Sequence, residues 1–254
     1  MIDLEQGQRN LGWYRARLGN FTGSRVGDLM KTGRSKSEPW GETAKSYMMK
    51  IAAERMMNPD VVNDDELFGQ YLEQTMVTSK AMRFGTEQEA AARELLCRTA
   101  GIEIVEPSSC RHDEVDHFAA SPDGLIVVDL RPTACVEIKC PNAETYVKYL
   151  NIVDAATLKK TMPQYYWQTL AEMSCTGVEV CYFTVYCPWL RTPLHVAEIE
   201  LDLEDEAAML ERVEMADEWV EDIIKRADGE ESIVPRIRDK VLKRALAYVE
   251  RLSQ

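Results

Sequence analysis

The 254-residue sequence contains no apolar run approaching the roughly 20 residues of a membrane-spanning helix, so no membrane span is expected. It contains no Cys-x-x-Cys pair either. The seven cysteines stand singly at 97, 110, 135, 140, 175, 181 and 187, a scatter that argues against a disulfide framework or a zinc site and for small core thiols. The opening MIDLEQGQRN shows neither the apolar region of a signal peptide nor an Arg/Ser-rich transit pattern, and a cytoplasmic location is expected. There is no P-loop, no Ser/His/Asp arrangement, no internal repeat and no low-complexity tract. An ATP-driven motor therefore has no support. Basic residues are outnumbered 43 to 30 by acidic ones, and the net charge of −13 argues against a general nucleic-acid coat. Its distribution is uneven: residues 1–36 carry +4 and residues 236–254 another +4, leaving −21 between them. A local basic track beside an acidic exterior is compatible with that pattern.

Hydrophobic content of 45% and charged content of 29% are those of a globular chain, with one large domain or one domain with appendages. The informative stretch runs from Ser121 to Pro141, SPDGLIVVDLRPTACVEIKCP. Ser-Pro-Asp-Gly is turn-prone, because Pro sets φ and Gly permits φ > 0, so Asp123 is presented at a bend. Leu125 to Leu130 form an apolar run that Arg131-Pro132 breaks, and Ala134 to Lys139 form a second β-like run; the pair predicts a hairpin. On the second run Glu137 and Lys139 share a face and Ile138 turns away. A hairpin could bring Asp123 alongside them, with the Ile138 carbonyl as a further oxygen donor. Two carboxylates and an ammonium suit Mg²⁺-dependent phosphodiester hydrolysis: hard cations take oxygen ligands, activate water and offset charge on the phosphate. A Glu-x-Lys alone is usually a solvated surface pair; the preceding SPDG turn and the apolar setting of the strand are what favour chemistry.

Elsewhere, Ser24 is a candidate N-cap of a helix carrying Val26, Leu29 and Met30 and stopping at Gly33. Thr43 to Met57 is an amphipathic helix, Asn58 to Glu66 a polar break, and Phe68 to Thr78 a further helix. Thr86 and Glu89 have the spacing of a capping box at the start of a helix that Gly101 closes, which would explain Glu89 structurally. Ile102 to Val105 and Val115 to Ala120 read as strands; His112 and His117 find no partner at metal-ligand spacing. One long helix is predicted from Asp154 to Ser174, with Gln164, Gln168 and Glu172 as a solvated polar ridge at i, i+4 and i+8. Two strands, VEVCYFTVY and LHVAEIEL, and a helix through Met209, Val213, Ala216 and Val220 follow. ADGEES is a polar linker, and Pro235 begins a basic amphipathic helix.

SPDG followed by VEIKCP resembles the core of the PD-(D/E)xK nucleases, in the lambda exonuclease and YqaJ-like viral recombinase family. Two further motifs agree in order: Trp13, Arg17, Leu18, Gly19, Thr22 and Ser24 match W-x-x-x-R-L-G-x-x-T-x-S, and Gly85, Glu89, Ala92 and Arg93 match G-x-x-x-E-x-x-A-R. The resemblance spans roughly residues 13–190. It implies an α/β fold: a mixed central sheet flanked by helices, the restriction-endonuclease-like core, with helical N- and C-terminal additions. Residues 1–227 would be the nuclease domain and 228–254 the linker and terminal helix. It also implies a Mg²⁺-dependent exonuclease, with Mn²⁺ able to substitute, that degrades the 5′ strand of double-stranded DNA ends and leaves 3′ overhangs for recombination. Asp123, Glu137 and the Ile138 carbonyl would hold the metal. Lys139 would activate water, and Glu89 and Gln168 would face the site. Arg17, Ser24 and Ser121 would bind the terminal phosphate. The family's usual partner is a single-strand annealing protein, its usual assembly a ring-shaped trimer, and its usual origin a phage or prophage in a bacterial host. A further arginine of the family's phosphate pocket is Thr145 here, with Lys148 the nearest cation. The alternatives are an endonuclease or structure-specific repair nuclease on the same core, or an inactive DNA-end-binding module.

Overall fold

The hairpin forms the middle of a mixed sheet. Its strands, β5 (Gly124–Val128) and β6 (Arg131–Lys139), pair antiparallel, with Gly124 opposite Val136. β7 (Val180–Tyr186) then lies parallel to β6, from Cys135 opposite Cys181 to Lys139 opposite Val185. β2 (Ile104–Val105) and β8 (Leu194–Glu200) complete the five-stranded order β2-β5-β6-β7-β8. A smaller sheet of β1 (Phe21–Thr22), β3 (Cys110–Arg111) and β4 (Phe118–Ala120) has the order β1-β4-β3. The computed structural model describes residues 7–33, 38–76, 79–228, 238 and 241–244.

The turn of the hairpin sits at Asp129-Leu130 and not at Arg131-Pro132. Both residues have positive φ, +50° and +63°, the backbone of a two-residue turn whose twist matches its strands. Pro132 instead pairs with Val127 just past a register shift. It stands before the part of β6 that bonds β7, where its missing N–H costs no ladder bond to that neighbour.

Alternation along β6 divides the core. Cys135 joins the larger cluster, which α2 (Gly23–Leu29), α3 (Glu42–Arg55), α9 (Pro163–Thr176) and α10 (Leu203–Asp228) cover with Leu29, Met48, Leu170, Met173 and Val213. Val136 and Ile138 face the other way, onto Ala92 and Leu96 of α6 (Lys80–Ala100). The period of two therefore turns Glu137 and Lys139 toward α9. This is the expected α/β architecture, a mixed sheet between helices.

Several boundaries differ from the sequence expectations. α6 begins at Lys80 with Ser79 as its cap, so Thr86 and Glu89 lie inside a helix and form no capping box. Thr22 occupies the cap position of α2 and Ser24 lies in the first turn. The Thr22 hydroxyl is engaged with Tyr47 instead of capping. The long helix divides into α8 (Ala155–Thr161) and α9, because Pro163 keeps Met162 out of the helical conformation and starts a new helix at N1. The polar break contains α4 (Pro59–Asn63), and α5 runs Asp65–Thr75. Only Phe118–Ala120 of the Val115–Ala120 segment is strand, since His112 accepts from the Glu114 and Val115 amides and folds a turn there. α10 reaches Asp228, into the expected linker, and the helix expected from Pro235 lies almost wholly outside the described residues. No helix among the described residues is long and apolar enough to cross a membrane.

Gly23 is where α2, β4 and α9 meet. A Cβ there would stand 3.1 Å from the Ala120 Cβ and 3.3 Å from the Ala171 Cβ. Gly23→Val should push α2 off α9 and destabilise by about 1–3 kcal/mol, the usual cost of overpacking. Chemical denaturation measures it; an unchanged unfolding midpoint would show that this seam yields freely.

Candidate active site

The SPDG turn and the end of β6 meet. Asp123 is buried, and its Oδ2 accepts from the Ile138 backbone N–H at 2.7 Å. Glu137, 1% exposed, is ion-paired through Oε1 to Lys139. From α9, Gln168 Nε2 donates to the same Oε1 at 2.7 Å, while Gln168 Oε1 stands 3.5 Å from Lys139 Nζ. Lys139 also lies 4.5 Å from the centre of the Tyr165 ring. The polar ridge is not solvated as a whole: Gln164 is exposed, but Gln168 and Glu172 are buried against the sheet. Gln164 lies in the first turn of α9, and the later turns pack against β6.

Charge is out of balance in this space. Burial and then the Glu137 carboxylate hold the Asp123 carboxyl well above its ordinary range. Burial acts against the Lys139 ammonium, yet Glu137 and Asp123 outweigh it and raise its pKa. Glu137 Oε2 is buried without a hydrogen-bond partner among the described residues. Two neighbouring carboxylates with oxygen lone pairs to spare and a single ammonium between them fit a hard divalent cation.

Glu89 reaches the same region from α6, and its carboxyl is raised by burial with Glu137 as a further cause. Arg9, in a left-handed conformation at φ +67°, grips both Glu89 oxygens at 2.9 and 2.7 Å. Arg93 donates to the Asp123 carbonyl at 3.1 Å and to Glu106 at 2.8 Å. Gln8 donates to the Pro122 carbonyl at 2.8 Å. The turn that presents Asp123 is thus tied down from two sides. Sequence reasoning missed Arg9 and Gln8 because nothing in local spacing marks a left-handed arginine or a strap across a distant turn. Arg93 did carry a signal, its place in G-x-x-x-E-x-x-A-R.

Arg17, Ser24 and Ser121 also come together. Arg17 Nη1 donates to Ser121 Oγ at 2.9 Å, its Nη2 stands 3.4 Å from Ser24 Oγ, and its guanidinium lies 4.3 Å over the Trp13 ring. Trp13 Nε1 adds a contact to Ser121 Oγ at 3.2 Å. Arg17 has no carboxylate within ion-pair distance among the described residues. Thr145 lies in the first turn of α7 (Ala143–Tyr149), where its backbone N–H is taken by Asn142; Lys148 is exposed near the other end. Five cysteines are buried as expected, and Cys97 and Cys140 are partly exposed. Cys135 and Cys181 lie side by side across β6 and β7, and with Glu172 their ligand atoms fall within 4.8 Å of one another. Sequence spacing hides that grouping.

Residues 12–179 match the YqaJ-like viral recombinase domain. The chain belongs to this family. Solved structures agree. An alkaline exonuclease of Laribacter hongkongensis, LHK-Exo, is 27% identical with a TM-score of 0.66, over 94% of this chain and 100% of that one. LHK-Exo in complex with dAMP gives 28% identity and 0.67, over 86% and 96%. A phage-related exonuclease from Haemophilus somnus 129PT, 14% identical with a TM-score of 0.58 over 82% and 96%, shares the fold. No curated protein is significantly similar in sequence. This YqaJ-family chain is a nuclease of the lambda exonuclease type on the PD-(D/E)xK fold.

The raised carboxyls set a pH dependence. Above about pH 4 the unfolded chain has released protons that Asp123 and Glu89 retain in the fold. Their contribution is complete below the ordinary carboxylate pKa and is lost as pH rises through the shifted values. In chelator, the thermal midpoint should fall as pH rises above the ordinary carboxylate range, and Asp123→Asn should flatten that fall. A midpoint that climbs over this range would contradict the assignment.

Proposed function

We propose that this nuclease is a Mg²⁺-dependent 5′-to-3′ exonuclease that starts at double-stranded DNA ends and leaves 3′ overhangs for recombination. The observation that carries this reading is the sharing of one turn by two groups. Ser121, two residues before Asp123, belongs to the Arg17/Ser24 cluster, so a phosphate held there lies beside the hydrolytic carboxylates. Asp123, Glu137 and the Ile138 carbonyl would hold the metal. The carbonyl is supported by strand geometry, since a residue's N–H and C=O point to the same edge and the Ile138 N–H already faces Asp123. Bound there, Mg²⁺, or Mn²⁺ in its place, would supply Lewis acidity toward the phosphate.

The protein groups do the rest. Held as an ammonium by Glu137 and Asp123, Lys139 orients the attacking water and offsets charge on the reacting phosphate. Gln168 keeps Glu137 and Lys139 in register from α9, and Glu89 closes the site from α6. Arg17 offers a guanidinium with no carboxylate partner among the described residues, and Ser24 and Ser121 offer hydroxyls, to the terminal phosphate. A homotrimer around DNA and a single-strand annealing partner belong to the same proposal, as does action in the cytoplasm of a phage's bacterial host.

Linear duplex should be degraded in Mg²⁺ and spared in chelator, while covalently closed circular duplex should survive. Cutting of the closed circle would favour the endonuclease. Lys139→Ala should lower turnover by roughly 10²-fold or more with Ca²⁺-supported DNA binding retained, because a group acting on the transition state adds little to ground-state affinity. Binding without any cleavage by the unaltered chain would favour the inactive end-binding module.

The 5′-phosphate preference should be modest. Thr145 brings a hydroxyl where relatives have an arginine, and a charge-assisted bond to phosphate is about twice as strong as a neutral one. Thr145→Arg should sharpen the ratio of rates on 5′-phosphoryl and 5′-hydroxyl duplexes. Collapse of an existing preference in Lys148→Ala would show that lysine fills the role. A strong preference indifferent to both Lys148→Ala and Arg17→Ala would mean that the phosphate sits elsewhere.

A further inference from the structure

A side-chain amide has two ends of similar shape and opposite hydrogen-bonding character, so its neighbours decide which way it points. Gln168 donates through Nε2 to Glu137 Oε1 at 2.7 Å and to Glu172 Oε1 at 2.9 Å, and its Oε1 faces Lys139 Nζ at 3.5 Å. Turned over, it would set a carbonyl against two carboxyl groups and an NH₂ against an ammonium. Glu137 and Lys139 are the groups that a metal and a phosphate would engage, so they make an unsteady guide. Glu172 stands on α9 one helical turn beyond Gln168, 1% exposed, beside Glu137 and the strands that carry Cys135 and Cys181. Its Oε2 has no partner among the described residues. No basic side chain pairs with it among those residues either. Burying a carboxyl in such a place costs stability that an apolar side chain would not.

We propose that Glu172 is a positioning residue of the nuclease centre: it accepts the second amide proton of Gln168 and so fixes the N–H end on Glu137 and the carbonyl end on Lys139. This rests on the nuclease reading above. Glu172 touches no reacting atom. It acts through Gln168, as the groups behind a metal ligand fix that ligand's orientation.

The test compares Glu172→Met, Glu172→Gln, Gln168→Met and the double Glu172→Met/Gln168→Met in the full chain, on linear duplex with Mg²⁺. Glu172→Met should lower kcat by roughly 10- to 100-fold, with KM and Ca²⁺-supported binding unchanged and the thermal midpoint equal or higher. Glu172→Gln should keep most of the turnover, because its Oε1 still accepts from Gln168. The double variant should be no slower than Gln168→Met. Independently of turnover, the Gln168 side-chain amide protons should be protected from solvent exchange in the unaltered protein and unprotected in Glu172→Met, as read by ¹⁵N NMR. Wild-type kcat in Glu172→Met, losses that multiply in the double variant, or a midpoint that falls in step with activity would overturn the proposal. So would stoichiometric zinc lost in Cys181→Ala, which would give Glu172 to a Cys₂Glu metal centre. Failure of the unaltered protein to cut linear duplex rejects the nuclease reading instead, and unprotected Gln168 amide protons in it reject this one.

Discussion

Placing Glu137 inside the sheet-to-helix layer is the constraint on which the rest of the site depends. A lone carboxylate at that depth costs several kcal/mol, so partners must come from elements that do not touch in sequence. Lys139 comes from the same strand face, and Gln168 from the helix above. Asp123 adds a second carboxylate to the same space, and burial first and repulsion from Glu137 second raise its pKa. The fold tolerates this because two cores flank the spot, one on each face of β6. Packing supplies the stability that the site consumes, and a bound cation would relieve the remainder.

Rigidity is concentrated where Asp123 is presented. Arg93 from α6 and Gln8 from the N-terminal segment each bond a backbone carbonyl of the SPDG turn, and Arg17 and Trp13 both reach Ser121. A turn of four residues has few internal bonds of its own. These long-range ties convert it from a flexible link into a fixed platform, which placement of a carboxylate to within a fraction of an ångström requires.

Legibility in the sequence followed the range of the forces involved. The hairpin, the shared face of Glu137 and Lys139, and the inward residues of α3 and α10 come from periodicity, which is local, and they were readable. Capping was misread twice, at Ser24 and at Thr86/Glu89, because a cap motif is short and the helix it seems to open can begin a turn or two earlier. Loss of the capping explanation leaves Glu89 free for a role at the site. Asp129-Leu130 carries little turn signal compared with Arg131-Pro132, yet tertiary pairing of β5 with β6 chose it. Glu172, Arg9 and the Cys135/Cys181 pair depend on contacts between distant segments, and no spacing rule encodes those.

Charge placement bears on how a chain of net −13 can act on a polyanion. Several basic side chains are spent on the protein's own carboxylates: Arg15 on Asp65, Arg25 on Asp28, Arg55 on Asp217 and Glu221, Arg93 on Glu106. Arg17 has hydroxyl and aromatic partners in place of a carboxylate. Lys139 is neutralised by the group that a metal would claim. An acidic exterior with a few unspent cations beside the hydrolytic carboxylates would weaken binding along the side of a duplex, where attraction grows with the number of phosphates neutralised. It would penalise far less the entry of a single terminal phosphate into a local pocket. On this argument the overall negative charge does not oppose nuclease function. It would shift recognition from the length of the duplex to its end.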